Sequence, residues 1–408
     1  MKWGIAAVVI VGVLVANVVF THNQFTSQNP GMNDFLPRWE GARGYWLEGI
    51  DPYSEEAELN IQAMIFGRPA EAAEDRSLFA YPMYTVFYML PLVGLDYPWA
   101  SAVWIVILEV CLIGGLFLLL DTIRWRPSIL MQVSLLIFII LNYFAFRGLI
   151  LGQLSHLVFA LTALTLWGLS REQDALAGVA LALSTIKPQM GFLLVPFLLL
   201  WALRAGRIRF VLGFVVMFAL LMAGAFVLLP TWFEGWLSHV ALYPTYTRDG
   251  SPVWILFEFY GGLSPYPGYA VRAVMAGWLL WSWWQVLVNR RDERLLWTIA
   301  VTLLVTHTAG PRTATPHYMV FMLILLVSMQ MLAQRRASLL NAMLLALLLI
   351  VPWVHFLSTL VDGNLESLSV FLPVVGVLLL ALPLTARHWW ELPPTLIPQN
   401  QLDKAADT

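Results

Sequence analysis

The chain has 408 residues, of which 60% are hydrophobic and 12% are charged, and its mean hydropathy is +0.74. These values lie outside the range of soluble globular domains and are typical of a protein whose solvent is lipid. A net charge of −2 gives no basic surface for nucleic acid. The single cysteine, Cys111, excludes an intramolecular disulfide and a cysteine-based metal site.

The distribution of apolar residues predicts an all-α polytopic membrane protein, because stretches near the roughly 20 residues that cross a bilayer recur with short polar interruptions. Residues 3–20 would also suit a signal peptide, but no small-x-small cleavage site precedes Thr21, so we interpret them as a retained helix. Lys187-Pro188 interrupts two short spans and is consistent with a broken or half-inserted pair. The twelve predicted spans are 3–20, 99–121, 128–146, 152–169, 174–187, 189–203, 210–230, 268–288, 294–308, 317–333, 338–356 and 368–385.

Lysine and arginine predict the orientation, because cytoplasmic loops are enriched in both. Most of the 23 Lys and Arg residues fall on the cytoplasmic side if the N-terminus lies there and residues 80–97 do not cross the membrane. We therefore interpret 80–97 as a juxtamembrane or partly inserted helix. The prediction is a multi-pass protein of the plasma membrane with both termini cytoplasmic and a long first extracytoplasmic loop, residues 21–98, that contains juxtamembrane helices.

Asp34, in this first outer loop, is a candidate general base. A carboxylate just beyond the first membrane helix lies where a membrane-bound substrate would meet an acceptor, and it could take the proton of an attacking sugar hydroxyl. The alternative is that Asp34 caps the helix that follows it, since aspartate is a preferred N-cap residue. The sequence alone leaves these two interpretations open.

Three isolated cations at predicted outer helix ends, Arg147, Lys187 and Arg312, could together hold a phosphate group. Ionisable groups at membrane depth usually face the interior of the helix bundle or water. The alternative is that each extends toward lipid headgroups. His156 and His317 lie at similar predicted depth; a lone histidine is more often a packing or hydrogen-bonding residue than a catalyst, but His317 is close in sequence to Arg312.

Several segments resemble glycosyltransferase family 87, the polyprenyl-phosphate-mannose-dependent α-mannosyltransferases and their relatives in the GT-C superfamily. Their order and spacing along most of the chain carry the resemblance. The segments are Asp34-Phe35, Gly49-x-Asp51-Pro52-Tyr53, Phe79-Ala80-Tyr81-Pro82 with Pro91-Leu92 and Trp104, Gly152-Gln153-Leu154-Ser155, Ala177-Gly178 with Lys187-Pro188-Gln189, and Pro316-His317-Tyr318.

The resemblance implies a catalytic membrane module at residues 1–230, a variable transmembrane module at 231–390 and a cytoplasmic tail at 391–408. It implies transfer of a hexose, with inversion, from a polyprenyl-phosphate-sugar donor to a lipid or glycan acceptor at the extracytoplasmic face. Mannose is the sugar best known for the family. Asp34 matches the family's first-loop acid, Lys187 and Gln189 match its Lys-Pro-Gln motif near the donor phosphate, and His317 matches a late polar position. Tyr81 and Gln153 lie in the matching segments, and they and His156 are possible substrate contacts. The family's Tyr-Pro-Pro is Tyr81-Pro82-Met83 here, which makes the substrate harder to infer.

A transporter or lipid flippase is the alternative function, since many helices with buried cations also suit a substrate pathway. Such folds tend to show internal repeats with corresponding broken helices, and the sequence shows none. The predicted outer face has neither His-x-x-His spacing nor a carboxylate pair outside the acidic run Glu55-Glu56-Ala57-Glu58. We therefore predict no metal site and no cofactor; the predicted partners are the donor lipid, the acceptor and membrane lipids.

Overall fold

The computed structural model describes residues 2–29, 34–71, 74–246, 250–310, 312–360, 366–391 and 396. Within these ranges the secondary structure is helical throughout, with no strand. The α-helices are α1 Lys2–Thr21, α2 Phe35–Arg43, α3 Glu55–Phe66, α4 Thr85–Met89, α5 Tyr97–Thr122, α6 Ile129–Leu141, α7 Tyr143–Ile150, α8 Ser155–Ser170, α9 Asp174–Leu183, α10 Pro188–Gly191, α11 Leu194–Arg204, α12 Ile208–Leu228, α13 Trp232–Tyr246, α14 Pro252–Trp254, α15 Pro265–Leu287, α16 Leu295–Ala309, α17 Met322–Gln334, α18 Ser338–Ser358 and α19 Leu372–Glu391.

Contacts divide the chain into two compact units. Unit 1 comprises Met1–Cys111, Gly148–Leu154 and Ala219–Arg248. Unit 2 comprises Leu112–Arg147, Ser155–Phe218 and Asp249–Thr408. The helices α5, α7 and α12 each run from one unit into the other.

Six helical segments of the described chain are long and apolar enough to cross a membrane, which confirms the helical membrane class. They are Ala6–Thr26, Tyr97–Thr122, Ile208–Leu228, Thr315–Gln334, Ser338–Ser358 and Leu368–Glu391. A seventh is present if α6 and α7, which meet at a bend of 46°, count as one span. The predicted number of twelve spans is therefore not confirmed. Three of the predicted spans coincide with shorter apolar helices, at Ser155–Ser170, Asp174–Ile186 and Leu194–Arg204.

Residues 80–97 do not form a membrane-spanning helix. Their helical part is the five-residue α4 followed by the 3₁₀ turn Leu90–Leu92. At 1.5 Å per residue, five α-helical residues extend about 8 Å, against the roughly 30 Å of a bilayer core. This agrees with the interpretation that residues 80–97 do not cross the membrane, on which the predicted orientation depends. The orientation itself stays a prediction.

In unit 1, α2 is anchored through its buried aromatic residues. Phe35 and Trp39 are almost fully buried, and the indole Nε1 of Trp39 donates to the carbonyl oxygen of Leu92 at 3.0 Å. The ring of Phe79 packs so closely on Gly41 that a Cβ there would lie 2.5 Å from its Cδ2 atom. Burial of large aromatic rings stabilises a helix by several kcal/mol in total, at about 25 cal/mol per Å² removed from solvent. α2 is therefore held on the segment that contains Phe79.

In unit 2, two local breaks interrupt the apolar helices. At the first, the Asn142 amide donates to the Phe138 carbonyl at 2.7 Å, and its Oδ1 accepts from the Ala145 backbone N–H at 3.1 Å. Asn142 thus satisfies groups at the end of α6 and at the start of α7. At the second, Lys187 leaves the helical conformation with φ −125° and ψ 79°, because the residue before a proline is disfavoured in the α region. The broken helix predicted at Lys187-Pro188 is confirmed.

Candidate active site

The nine predicted site residues belong to both units. Asp34, Tyr81 and Gln153 lie in unit 1. The others, in unit 2, are Arg147, His156, Lys187, Gln189, Arg312 and His317.

Asp34 does not cap α2. It stands at the N-cap position, yet its side chain makes no capping hydrogen bond. Instead the carboxylate Oδ2 accepts a hydrogen bond from the Gln153 amide Nε2, and Asp34 remains exposed to solvent. The capping interpretation is therefore wrong. Two residues that the sequence analysis singled out separately, 119 positions apart, are in direct contact.

The Gln153 side chain is placed by a tight turn at Gly152. Gly152 has φ +63°, a left-handed conformation that favours glycine, and a Cβ there would lie 2.6 Å from the Cβ of Phe35. Its carbonyl oxygen accepts two hydrogen bonds, from Arg38 Nη1 at 3.0 Å and from Trp104 Nε1 at 2.9 Å. The Gln153 backbone N–H donates to the Gly148 carbonyl at 2.8 Å. The turn is thereby fixed from both sides.

Arg38, which the sequence analysis did not single out, is fully buried in α2. Its Nη2 donates to the Tyr81 hydroxyl, and its guanidinium carbon lies 4.5 Å from the centroid of the Tyr81 ring. Asp34 is the N-cap residue of α2, and Arg38 follows it by four residues, about one helical turn. That spacing is the only signal in the sequence that could have associated Arg38 with Asp34.

The segment that carries Tyr81 is pinned at several points. The Tyr53 hydroxyl donates to the Tyr81 carbonyl at 2.6 Å, and His239 Nδ1 lies 3.1 Å from the Phe79 carbonyl oxygen, to which it donates. The Tyr53 backbone N–H in turn donates to the Asp51 carboxylate at 2.8 Å. The Gly49-x-Asp51-Pro52-Tyr53 motif thus supports the segment at residues 79–81.

Asp75 is a second carboxylate in this neighbourhood, and the sequence analysis missed it. It is accessible to solvent, but the surrounding protein raises its pKa, and the negative charge of Asp34 adds to that effect. Burial likewise raises the pKa of the Tyr81 hydroxyl, against the lowering effect of the Arg38 cation. Around Asp34, unit 1 therefore gathers two carboxylates, a phenol, a buried guanidinium and an amide.

In unit 2, Arg147 lies in the last turn of α7. Its guanidinium carbon is 5.8 Å from the Phe356 ring centroid, and its buried Nε has no hydrogen-bond partner among the described residues. Glu366 is near enough to act on Arg147 electrostatically, and its carboxylate accepts a hydrogen bond from the Tyr143 hydroxyl. Arg147 thus lies close to an acid that the Tyr143 side chain contacts.

Lys187 is only 3% exposed, at the break between α9 and α10. Its charge acts on three buried imidazoles, those of His156, His307 and His317. His156 Nε2 lies 2.8 Å from the Ala145 carbonyl oxygen, so that this nitrogen carries the proton. Gln189, by contrast, is exposed on the four-residue α10.

His317 is not a lone histidine. Its ring centroid lies 5.5 Å from that of His307, which the sequence analysis overlooked. The backbone N–H of Ala314 donates to His317 Nδ1 at 3.2 Å, so in the neutral ring Nε2 carries the proton. Both Nε2 atoms are buried and have no hydrogen-bond partner in the described part of the chain. Arg312, five residues before His317, is half-buried. This cluster therefore offers an unused donor from His317 next to the Lys187 charge.

Among the described residues, no three His, Cys, Asp or Glu side chains are grouped so that they could hold a metal ion. Neither the curated proteins nor the solved structures include a match to this chain.

One comparison is informative. The sequence profile of glycosyltransferase family 87 matches residues 79–308, more than half of the chain. The matched region contains the candidates Tyr81, Arg147, Gln153, His156, Lys187 and Gln189, and it excludes Asp34, Arg312 and His317. The profile and the apolar helices together lead to one conclusion: the chain belongs to glycosyltransferase family 87 and is a glycosyltransferase of the membrane.

Proposed function

We propose that this enzyme transfers a hexose, with mannose as the first candidate, from a polyprenyl-phosphate-sugar to a lipid or glycan acceptor. The reaction inverts the anomeric centre and takes place at the extracytoplasmic face of the plasma membrane, with both termini in the cytoplasm. We retain the predicted modules at 1–230 and 231–390 and the tail at 391–408 as part of this proposal. Of the tail, only residues 391 and 396 lie within the described chain.

The contact between Asp34 and Gln153 carries the proposal. Gln153 belongs to the family-matched region, whereas Asp34 lies outside it, and the amide directly engages the carboxylate. The Asp34 carboxylate is exposed, is oriented by a hydrogen bond and does not cap the helix. Such a carboxylate is suited to take the proton of an acceptor hydroxyl. Asp34 is accordingly assigned as the general base.

In the reaction, the acceptor oxygen attacks the anomeric carbon as Asp34 takes the hydroxyl proton. A new C–O bond forms, and the bond from the anomeric carbon to the phosphate oxygen breaks on the opposite face. The phosphate changes from a monoanionic diester to a dianionic monoester. Preorganised positive charge stabilises such a leaving group more than it stabilises the bound donor.

We assign the leaving phosphate to the basic residues of unit 2. Arg147, Lys187 and Arg312 supply charge, and His317 supplies the Nε2–H donor that has no other use in the described residues. Lys187 is almost completely buried, so water would screen its charge only weakly from a phosphate bound beside it. Tyr81, Gln153, His156 and Gln189 remain proposed substrate contacts.

The test is transfer of labelled sugar from a panel of polyprenyl-phosphate-hexoses by the purified protein, with crude membrane lipids as acceptors. Asp34→Asn is expected to lower the turnover rate by about 100-fold or more, as loss of a general base does, with donor binding retained. Asp96→Asn, which changes an exposed carboxylate in the same unit, is the matched control and is expected to be active.

The anomeric configuration of the product, read by NMR, tests inversion separately. Full activity in Asp34→Asn would overturn the assignment of the base. A folded wild-type protein that transfers sugar from none of the donors would overturn the proposed donor class.

A further inference from the structure

We infer that Arg38 is a positioning residue for the transfer reaction, which it serves by fixing the Gly152 carbonyl and so the Gln153 amide that orients Asp34. This inference rests on the proposed role of Asp34. Arg38 itself lies outside the family-matched region and touches no reacting atom in the proposed mechanism.

The buried guanidinium of Arg38 contacts two separate segments of the chain. Arg38 is 0% exposed, and removing a guanidinium from water is costly unless its N–H groups are used. Its Nη1 and Nη2 reach two different segments, the Gly152 carbonyl at 3.0 Å and the Tyr81 hydroxyl, while its Nε has no partner in the described chain. The cation therefore joins the turn at Gly152 to the segment at Tyr81.

The Gly152 carbonyl connects Arg38 to the side chain that contacts Asp34. The Gly152 carbonyl leads through one peptide bond to Gln153, whose side-chain amide donates to Asp34 Oδ2. Trp104 Nε1 donates to the same carbonyl at 2.9 Å, so two N–H groups set its direction. A carbonyl that accepts two hydrogen bonds has little freedom to rotate. Because this carbonyl belongs to the peptide group that joins Gly152 to Gln153, the backbone of Gln153 is restricted as well.

Asp34 is the N-cap residue of the helix that carries Arg38. Arg38 follows Asp34 by four residues, about one helical turn, so it ties the start of α2, where the base lies, to the turn that carries the amide partner of the base. A lysine could keep the charge, but it could not present a planar fork to both acceptors. Misplacement of a catalytic group by about 1 Å can cost on the order of 100-fold in rate.

The experiment compares Arg38→Lys and Arg38→Gln with Arg43→Gln in the transfer assay. Arg43 lies on the same helix, is one-third exposed and pairs with Glu48 at 2.9 Å, so its loss should leave the kinetics unchanged. For both Arg38 variants we expect kcat to fall by about 10- to 100-fold while KM for the donor changes less than threefold. Arg38→Gln combined with Gln153→Ala should be no slower than the slower single variant, because both changes remove the same alignment.

Each other outcome has a definite meaning. Wild-type activity in Arg38→Lys and Arg38→Gln, or multiplicative effects in the double variant, would overturn the positioning role while Asp34→Asn still tests the base. If the Arg38 variants do not fold, Trp104→Phe replaces them, because it removes the other donor to Gly152 and keeps a buried ring. A normal kcat in Trp104→Phe would then overturn the inference.

Discussion

Replacement of Gly152 by alanine tests whether the turn beside Asp34 needs glycine for its backbone or for its close contact. A non-glycine residue in the left-handed region costs about 1–2 kcal/mol. The added Cβ would also lie 2.6 Å from Phe35 Cβ, an atom that cannot rotate away because it is fixed to the α2 backbone. Overpacking of this kind costs about 1–3 kcal/mol. We therefore expect Gly152→Ala to lower the free energy of unfolding by about 2–5 kcal/mol.

The matched control is Gly67→Ala. Gly67 has φ +71°, almost the same as Gly152, but nothing lies within 4 Å of the position that an added Cβ would take, so only the backbone cost of about 1–2 kcal/mol applies. Both unfolding free energies can be measured in mixed detergent micelles, alongside the transfer rate at a temperature where each variant is folded. Gly152→Ala should also be at least tenfold slower in transfer, whereas Gly67→Ala should retain its rate. Equal destabilisation of the two variants would refute the steric argument.

Two further predictions concern stability. Burial lowers the pKa of His239, so the folded protein binds this proton more weakly than the unfolded chain, and stability falls as the pH drops below the unfolded value of about 6.5. The melting midpoint should therefore decline less between pH 7 and pH 5 in His239→Gln than in the wild-type protein. The same dependence of the melting midpoint on pH in both proteins would contradict this. Arg207 is buried and paired with Asp174, so Arg207→Gln should lower the free energy of unfolding by about 3–5 kcal/mol. Arg171 belongs to an exposed pair, and Arg171→Gln should lower it by less than about 1 kcal/mol in the same unfolding assay. Equal losses in the two variants would refute this distinction between buried and exposed pairs.

The sequence predicts the class of this fold better than its number of spans. Long apolar stretches identify membrane helices, but hydropathy does not locate every break. Asn142 divides one predicted span into two helices because its side chain serves both ends, and such dual capping is invisible to a hydrophobicity count. Lys187-Pro188 was recognisable as a break because proline restricts the residue before it.

The candidate site was predictable only where a residue type is unusual for its surroundings. Asp34 and Lys187 were predictable because each places a charge beside an apolar segment. Arg38, in contrast, belongs to the predicted outer loop, residues 21–98, where an arginine suggests a solvated surface; the structure places it in a helix with its side chain buried. His307 ends an apolar helix and resembles a packing residue until His317 is placed beside it. The choice between base and cap at Asp34 depended on Gln153, whose contact no local pattern encodes.

The separation between Arg38 and Gly152, 114 residues along the chain, imposes an order on biosynthesis. At roughly 5–20 residues per second, the ribosome makes the turn at Gly152 about 6 to 20 seconds after α2 has been completed. Throughout that interval neither Arg38 nor Asp34 has its partner from the Gly152-Gln153 turn. The segment that bears the proposed base therefore lacks its Gln153 partner until five further helices, α3 to α7, have been made. A nascent chain gains its oriented base only together with the membrane segments that follow.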